Sequence, residues 1–420
     1  MAGTALSYSH GVSPVPLLGE TIGENLRRTV ERHGTREALV VRSQGFRATY
    51  RELWELSGLA ARGLLVRGVE RGDRVGIWAP NRYEWVVTQY ATARLGAILV
   101  NVNPAYKAGE LEYALNQSGV SLLVMSRGFR ETDYRALLSG VRENCRALRE
   151  VLVLEEDWEG LLGDGRRVAE EALTERERVL QFDDPINIQY TSGTTGRPKG
   201  ATLSHHNILN NAFYLAVNLR YTEKDRVCIP VPFYHCFGMV MGNLSCTATG
   251  ACMVVPAEAF DPLAVLETIR AERCTSLYGV PTMFIAELEH PRFDEFDLTS
   301  LRTGVMAGAP CPVEVMRKVQ DRMHIPEITI GCGMTETSPL STQTTIDDPI
   351  EKRVETVGRA AAHVEIKIVD PATGAVVPRG TPGEQCTRGY NVMLGYWNNE
   401  EATRNAIDAA GWMHTGDLSV

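Results

Sequence analysis

No part of this sequence is apolar enough for long enough to span a bilayer. The strongest candidate, residues 231–257, has no Asp, Glu, Lys or Arg, but Pro232, Gly238, Gly242, Asn243 and Gly250 interrupt it. It is too polar and too glycine-broken for a spanning helix, and a buried helix followed by a core strand at 251–255 is expected instead. Nine cysteines are scattered from Cys145 to Cys386 with no C-x-x-C pair and no Cys/His cluster at zinc spacing, which excludes a zinc ribbon and a disulfide framework. The start, Met1 to Ser7, has neither a charged region nor an apolar run, so no secretory leader is expected, and the thiols fit a reducing cytoplasm. Positive charge is also in deficit: 43 Lys and Arg against 52 Asp and Glu leave a net charge of −9. That argues against a nucleic-acid scaffold while leaving local nucleotide binding open.

What is present is a globular composition, 44% apolar and 23% charged, over 420 residues, long enough for more than one packed unit. Thr21-Ile22-Gly23-Glu24 and Thr49-Tyr50-Arg51-Glu52 are capping boxes that open helices. Apolar runs at 75–78, 97–100, 121–124 and 151–154 alternate with helical spacing near 84–94 and 109–117. The same alternation returns with strands expected at 226–230, 251–255, 276–280, 304–307 and 327–330. Regular βα alternation predicts doubly wound, mostly parallel α/β sheets with helices on both faces, divided near 1–185 and 186–350. From about Gly358 the character changes. Residues 363–369 alternate strictly and Asp370-Pro371-Ala372-Thr373-Gly374 is a turn, so 351–420 is expected to form a small antiparallel, barrel-like β subdomain.

The chain is organised around Tyr190-Thr191-Ser192-Gly193-Thr194-Thr195-Gly196-Arg197-Pro198-Lys199-Gly200, directly after an alternating strand at 186–190. Glycines let the backbone approach an anion closely, and serial N–H groups form an anion-binding concavity. Four hydroxyls between Thr191 and Thr195 add donors, and Lys199 adds a mobile positive charge. It is not a Walker A loop: two residues, not four, separate Gly193 from Gly196, and Pro198 removes a backbone donor. A P-loop kinase is disfavoured accordingly.

Four further segments carry chemistry-bearing residues. Gly331-Cys332-Gly333-Met334-Thr335-Glu336 follows a strand, and a carboxylate there is a natural Mg²⁺ ligand when phosphates share the site. Gly308-Ala309-Pro310 follows another strand with small residues that admit a flat ring. His235 sits in Pro232-Phe233-Tyr234-His235-Cys236, and Asp417 closes His414-Thr415-Gly416-Asp417. Taken singly each is an ordinary turn or core residue; their order along the chain is not.

In that order the segments resemble the signatures of the adenylate-forming (AMP-binding) superfamily, which comprises acyl-CoA synthetases, luciferases and the adenylation domains of peptide synthetases. The likeness runs over nearly the whole chain and is strongest to the medium- and long-chain fatty acyl-CoA synthetases. The resemblance implies a ligase that uses ATP, Mg²⁺ and CoA to convert a fatty acid to its acyl-adenylate and then to the thioester. Lys199 and the Thr191–Gly196 loop would hold the β- and γ-phosphates, Glu336 the metal and Thr335 the α-phosphate. His235 would border the reacting carboxylate, Asp417 the ribose hydroxyls, and Gly308, Ala309, Pro310 and Gly331 to Met334 the adenine. Cys332 departs from the family pattern, which places an aromatic ring against adenine, so weaker or altered adenine binding is expected. Family members continue past Asp417 into a small mobile domain carrying a lysine important for adenylation. The expectation is therefore a large N-terminal domain that binds nucleotide and acyl-adenylate but performs the overall ligation poorly. The partners expected are small molecules, with no nucleic acid and no transmembrane segment; oligomeric state is left open, a homodimer among the options. Two other readings stand beside this one: a carrier-protein thiol as acceptor, and a non-catalytic module that keeps the nucleotide pocket.

Overall fold

The β-branched runs that read as strands pair into two large sheets in a computed structural model, which describes residues 5–191 and 197–420. The first sheet has seven strands in the spatial order Gly395–Tyr396, Lys199–Ser204, Pro185–Thr191, Ile98–Asn101, Arg74–Trp78, Leu122–Met125 and Glu150–Val153. From Pro185–Thr191 onward its strands are parallel. The second has nine, in the order Arg359–Ala360, Leu340–Gln343, Glu327–Gly333, Thr303–Ala307, Ser276–Gly279, Arg226–Cys228, Cys252–Val255, Glu37–Val41 and Phe46–Thr49. Its interior strands are parallel and its edges antiparallel. Strands such as Leu122–Met125 and Cys252–Val255 are buried at every residue, as expected of parallel sheets covered on both faces.

The helix Tyr83–Leu95 explains how the two sheets make one core. Every residue from Glu84 to Leu95 is buried, and the helix packs on strands of both sheets. Such a helix has no solvent face, so it lacks the amphipathic stripe of a surface helix. Both predicted capping boxes form, at Thr21 and Thr49. The uncharged 231–257 segment is the expected buried helix and strand: residues 237–249 are helical, the first part, Phe237–Leu244, with π-type hydrogen bonding, and Cys252–Val255 follows as a strand.

The division at 1–185 and 186–350 does not hold for the sheets. Glu37–Val41 and Phe46–Thr49 join the second sheet, whereas Pro185–Thr191 and Lys199–Ser204 join the first. Parallel strands are placed by crossover connections, so spatial neighbours need not be neighbours in sequence. The β-rich end is a four-stranded antiparallel sheet, ordered Tyr8–His10, Val364–Val369, Gly383–Gly389 and Met413–Ser419. The N-terminal strand is its unforeseen edge, and after the turn at 370–374 the chain returns with only a bridge between Val369 and Val376.

One core residue conflicts with its surroundings. Glu287, on the helix Pro281–Leu288, is 1% exposed, and neither carboxylate oxygen has a hydrogen-bond partner among the described residues. Burial raises its pKa well above the ordinary value, so the folded protein keeps it protonated at pH where the unfolded chain ionises. That linkage favours folding below the unfolded pKa and is lost as pH rises towards the folded one. Glu287→Met is expected to stabilise the protein by about 1–3 kcal/mol at pH 8, with the gain shrinking towards pH 5. Thermal unfolding at the two pH values checks it; a destabilised variant at pH 8 would show that the carboxyl has a structural partner.

Candidate active site

The phosphate-loop segment is a hairpin. Pro185–Thr191 runs out, and Lys199–Ser204 returns antiparallel beside it with Thr191 opposite Lys199. The return strand then leads into the helix His205–Asn218, which starts at a Ser204 capping box. A Walker lysine sits at a helix N-terminus, so the hairpin disposes of the kinase reading. Ser192, Gly193, Thr194, Thr195 and Gly196 lie outside the described residues.

A cleft of about 830 Å³ opens at the end of this hairpin, lined by Thr191, Lys199, Tyr234, His235, Thr335, Glu336 and Tyr396 among others. It lies beyond the carboxyl ends of Pro185–Thr191 and Glu327–Gly333, where ligands of open α/β sheets bind. Glu336 sits on the short turn Thr335–Thr337 and is 4% exposed. Its Oε1 accepts hydrogen bonds from the Thr191 hydroxyl at 3.0 Å and the Tyr396 hydroxyl at 2.9 Å. The Met393 N–H donates to its backbone carbonyl at 2.9 Å, so the 393–396 segment fixes both ends of the residue.

Tyr396 is the residue that sequence reasoning missed. Its strand joins the sheet edge by pairing Ala201 with Tyr396, and the Lys199 ammonium lies 5.0 Å from its ring centroid. One phenol thus touches the cation through its face and the carboxylate through its hydroxyl, keeping both charges at the cleft without letting them pair directly. Burial and the Glu336 carboxylate hold the phenol well above its ordinary pKa, so it remains a donor. Nothing local in Gly395-Tyr396-Trp397 signals this role, because the contacts cross the fold. Tyr396→Phe is expected to lower stability by about 1.5–3 kcal/mol, the worth of a hydrogen bond to a charged acceptor, because the folded protein already makes this one. Thermal unfolding reads it, and an unchanged Tm would show that Tyr396 does not hold Glu336.

His235 is presented by a pinned loop: Asn81 accepts from the Phe233 N–H at 2.8 Å and donates to the Val231 carbonyl at 2.9 Å, and Asn101 donates to the Tyr234 carbonyl at 2.9 Å. The ring is open to the cleft. Its Nδ1 accepts the Phe237 N–H at 3.1 Å, which places the proton of the neutral ring on Nε2. The Cys236 sulfur raises its pKa, opposed by the surrounding protein. The Thr335 hydroxyl is 3.8 Å from the same sulfur, so His235 and Thr335 share one wall.

The remaining candidates form an adjoining open face. Ala307 pairs with Gly331 across parallel strands, bringing Gly308, Ala309 and Pro310 beside Cys332 and Gly333. Gly308 has φ +86°, a conformation that favours glycine. Gly331, Cys332 and Gly333 are the end of a strand and not a loop; only Met334 of the predicted adenine residues on this segment lines the cleft. Burial and the Asp417 carboxylate raise the Cys332 thiol's pKa. Asp417 itself is exposed, next to the cleft residues His414, Thr415 and Gly416.

Among the described residues no helix is long and apolar enough to cross a membrane. The profile of the AMP-binding enzyme family matches residues 26–397. The chain is 46% identical to YngI of Bacillus subtilis (strain 168), an acyl-CoA synthetase by name, over 96% of this chain and 77% of that protein. It is 43% identical to the medium-chain acyl-CoA ligase ACSF2, mitochondrial, of Danio rerio, over 98% of this chain and 72% of that protein. The inhibitor-bound N-terminal domain of FACL13 from Mycobacterium tuberculosis superposes with a TM-score of 0.84 at 26% identity, covering 95% of this chain and 96% of that one. A cleft that gathers lysine, carboxylate and hydroxyls at the ends of two sheets thus sits within a chain that belongs to the AMP-binding enzyme family.

Proposed function

We propose that the chain activates a fatty acid with ATP as an acyl-adenylate and that the acyl group then passes to CoA, making it an acid–thiol ligase. The observation that carries this reading is the convergence of Thr191, Lys199, His235, Thr335 and Glu336 on one cleft, although they come from separate segments of the chain. In the first half-reaction a carboxylate oxygen attacks the α-phosphorus of ATP and pyrophosphate leaves. In the second the CoA sulfur attacks the acyl carbon and AMP leaves. The protein's work in the first half is positioning and charge neutralisation. Lys199 draws the β- and γ-oxygens, the Thr335 hydroxyl donates to the α-phosphate, and the Nε2–H of His235 holds a carboxylate oxygen without acting as nucleophile.

The residues fit Mg²⁺. Glu336 is a buried carboxylate whose Oε1 is tied by two hydroxyls, and the surrounding donors are oxygens, the set that a hard cation prefers. Glu336 would hold the ion, which supplies neutralisation of phosphate charge. Asp417 is assigned to the ribose diol, and Gly308, Ala309, Pro310 and Gly331 to Met334 to the adenine. Cys332 offers a thiol where a ring would stack. Cys332→Tyr is therefore expected to tighten ATP by about fivefold, the range of a stacking contact; equilibrium dialysis reads it, and weaker binding would move adenine elsewhere. The nine unpaired thiols support a reducing compartment, and the cytoplasm is proposed as the site of action.

The test is fatty-acid-dependent exchange of labelled pyrophosphate into ATP, which reads the adenylation half alone. Exchange that requires an aliphatic acid supports the reading. Exchange with amino acids but no fatty acid, or exchange indifferent to the acid, would defeat it.

A further inference from the structure

Sequence spacing held no zinc pattern, yet the fold assembles three unlike donors on the antiparallel sheet. Glu384 and Cys386 lie on the strand Gly383–Gly389, and His414 lies opposite Cys386 on Met413–Ser419. One donor atom from each lies within 4.8 Å of the other two. We propose that Glu384, Cys386 and His414 form a binding site for a borderline divalent transition metal of the Zn²⁺ class, distinct from the Mg²⁺ position at Glu336.

Four observations carry it. The His414 Nδ1 is 2.9 Å from Glu384 Oε2 and 3.5 Å from Cys386 Sγ. A tetrahedral ion with metal–nitrogen and metal–oxygen bonds of about 2.0–2.1 Å and a metal–sulfur bond of about 2.3 Å needs donor separations of about 3.3–3.6 Å, so small side-chain rotations admit it. The other ring nitrogen, Nε2, faces Asp408 Oδ2 at 3.9 Å. A carboxylate behind a histidine is the usual arrangement that turns the opposite nitrogen to a metal. The strand pairing breaks here: Glu384 is opposite Leu418 while Cys386 is opposite His414. Three residues, Thr415, Gly416 and Asp417, form an arch opposite the single Gln385, with Gly416 at φ +76° and its N–H donated to Glu384 Oε1 at 3.0 Å. Bulges of this kind re-aim side chains. Finally, Glu384, His414, Thr415 and Gly416 line the large cleft, so a fourth coordination position is open to solvent, whereas Cys386 is fully buried behind it.

Binding releases the Cys386 thiol proton to solvent and forms the metal–thiolate bond, with no change of oxidation state. The ion then fastens the arch that carries Asp417 to the neighbouring strand. That gives the cleft a wall whose rigidity depends on metal, whatever the acyl substrate.

The experiment is titration of the EDTA-treated chain with Co²⁺ alone as the spectroscopic probe. The expected result is one equivalent bound with a thiolate-to-cobalt charge-transfer band in the near ultraviolet and tetrahedral visible bands, displaced by Zn²⁺. Cys386→Ser should remove the charge-transfer band. His414→Ala should weaken binding by at least tenfold, and Asp408→Asn, which leaves all three donors in place, by about tenfold. Should Cys386→Ser fail to fold, Asp408→Asn decides alone. No cobalt uptake by the wild-type chain, a charge-transfer band that survives Cys386→Ser, or affinity unmoved by Asp408→Asn overturns the site.

Discussion

Glu336→Gln is expected to abolish the Mg²⁺ dependence of ATP binding and to lower fatty-acid-dependent pyrophosphate exchange by about 10²–10³-fold, the scale at which removal of one preorganised electrostatic group acts. The substitution is nearly isosteric. The amide oxygen of Gln can still accept from the Thr191 and Tyr396 hydroxyls that now reach Oε1 at 3.0 and 2.9 Å, so the turn and Tm should survive. What disappears is the negative charge. ATP affinity without metal should hold or rise slightly, because a carboxylate facing triphosphate repels it. A variant that retained the wild-type Mg²⁺ response would mean that the ion, if it binds, uses another ligand.

Lys199→Met is expected to weaken ATP by about 10²-fold while leaving AMP almost unaffected. The lysine opens the return strand of the hairpin, opposite Thr191, and its ammonium sits near the Tyr396 ring, 5.0 Å from the centroid. Met keeps an unbranched apolar stem, one atom shorter, and removes the charge, so the hairpin should persist. The difference between the two nucleotides is diagnostic, since a group assigned to the β- and γ-phosphates has nothing to hold in AMP. The wild-type affinity for ATP should also fall with ionic strength more steeply than that of the variant. Equal losses for ATP and AMP would place Lys199 at the α-phosphate or in a structural role.

Several residues that line the cleft are conspicuous in the sequence itself. Lys199, Thr335, Glu336 and His235 stood out because each lies in a short segment of glycines, hydroxyls or aromatics next to a strand, and such local composition is a property of the chain itself. The two capping boxes were legible for the same reason: Thr21 with Glu24 and Thr49 with Glu52 satisfy one another over three residues. The parts that were not legible depend on contacts across long separations. Tyr396 reaches Glu336 only because its strand pairs with Ala201 at the sheet edge. Glu37–Val41 pairs with Cys252–Val255 from the far side of the chain, and so the division near 185 does not hold for the sheets. Lys199–Ser204 was hidden because Lys199, Gly200 and Ala201 are residue types depleted in strands; its pairing with Pro185–Thr191 supplies the extended conformation. His414 and Cys386 are separated by 28 residues in sequence and share a donor cluster only through the bulged pairing of their strands.

The central question is whether the cleft beside the hairpin is an acyl-adenylate site. The most direct measurement is calorimetric titration of the chain with non-hydrolysable acyl-adenylate analogues of increasing acyl length, with Mg²⁺ present. The expected result is one site per chain, tighter binding than for AMP, and an optimum in aliphatic chain length. Binding no tighter than AMP at any acyl length would contradict it, and would leave a nucleotide pocket without the acyl chemistry assigned to His235.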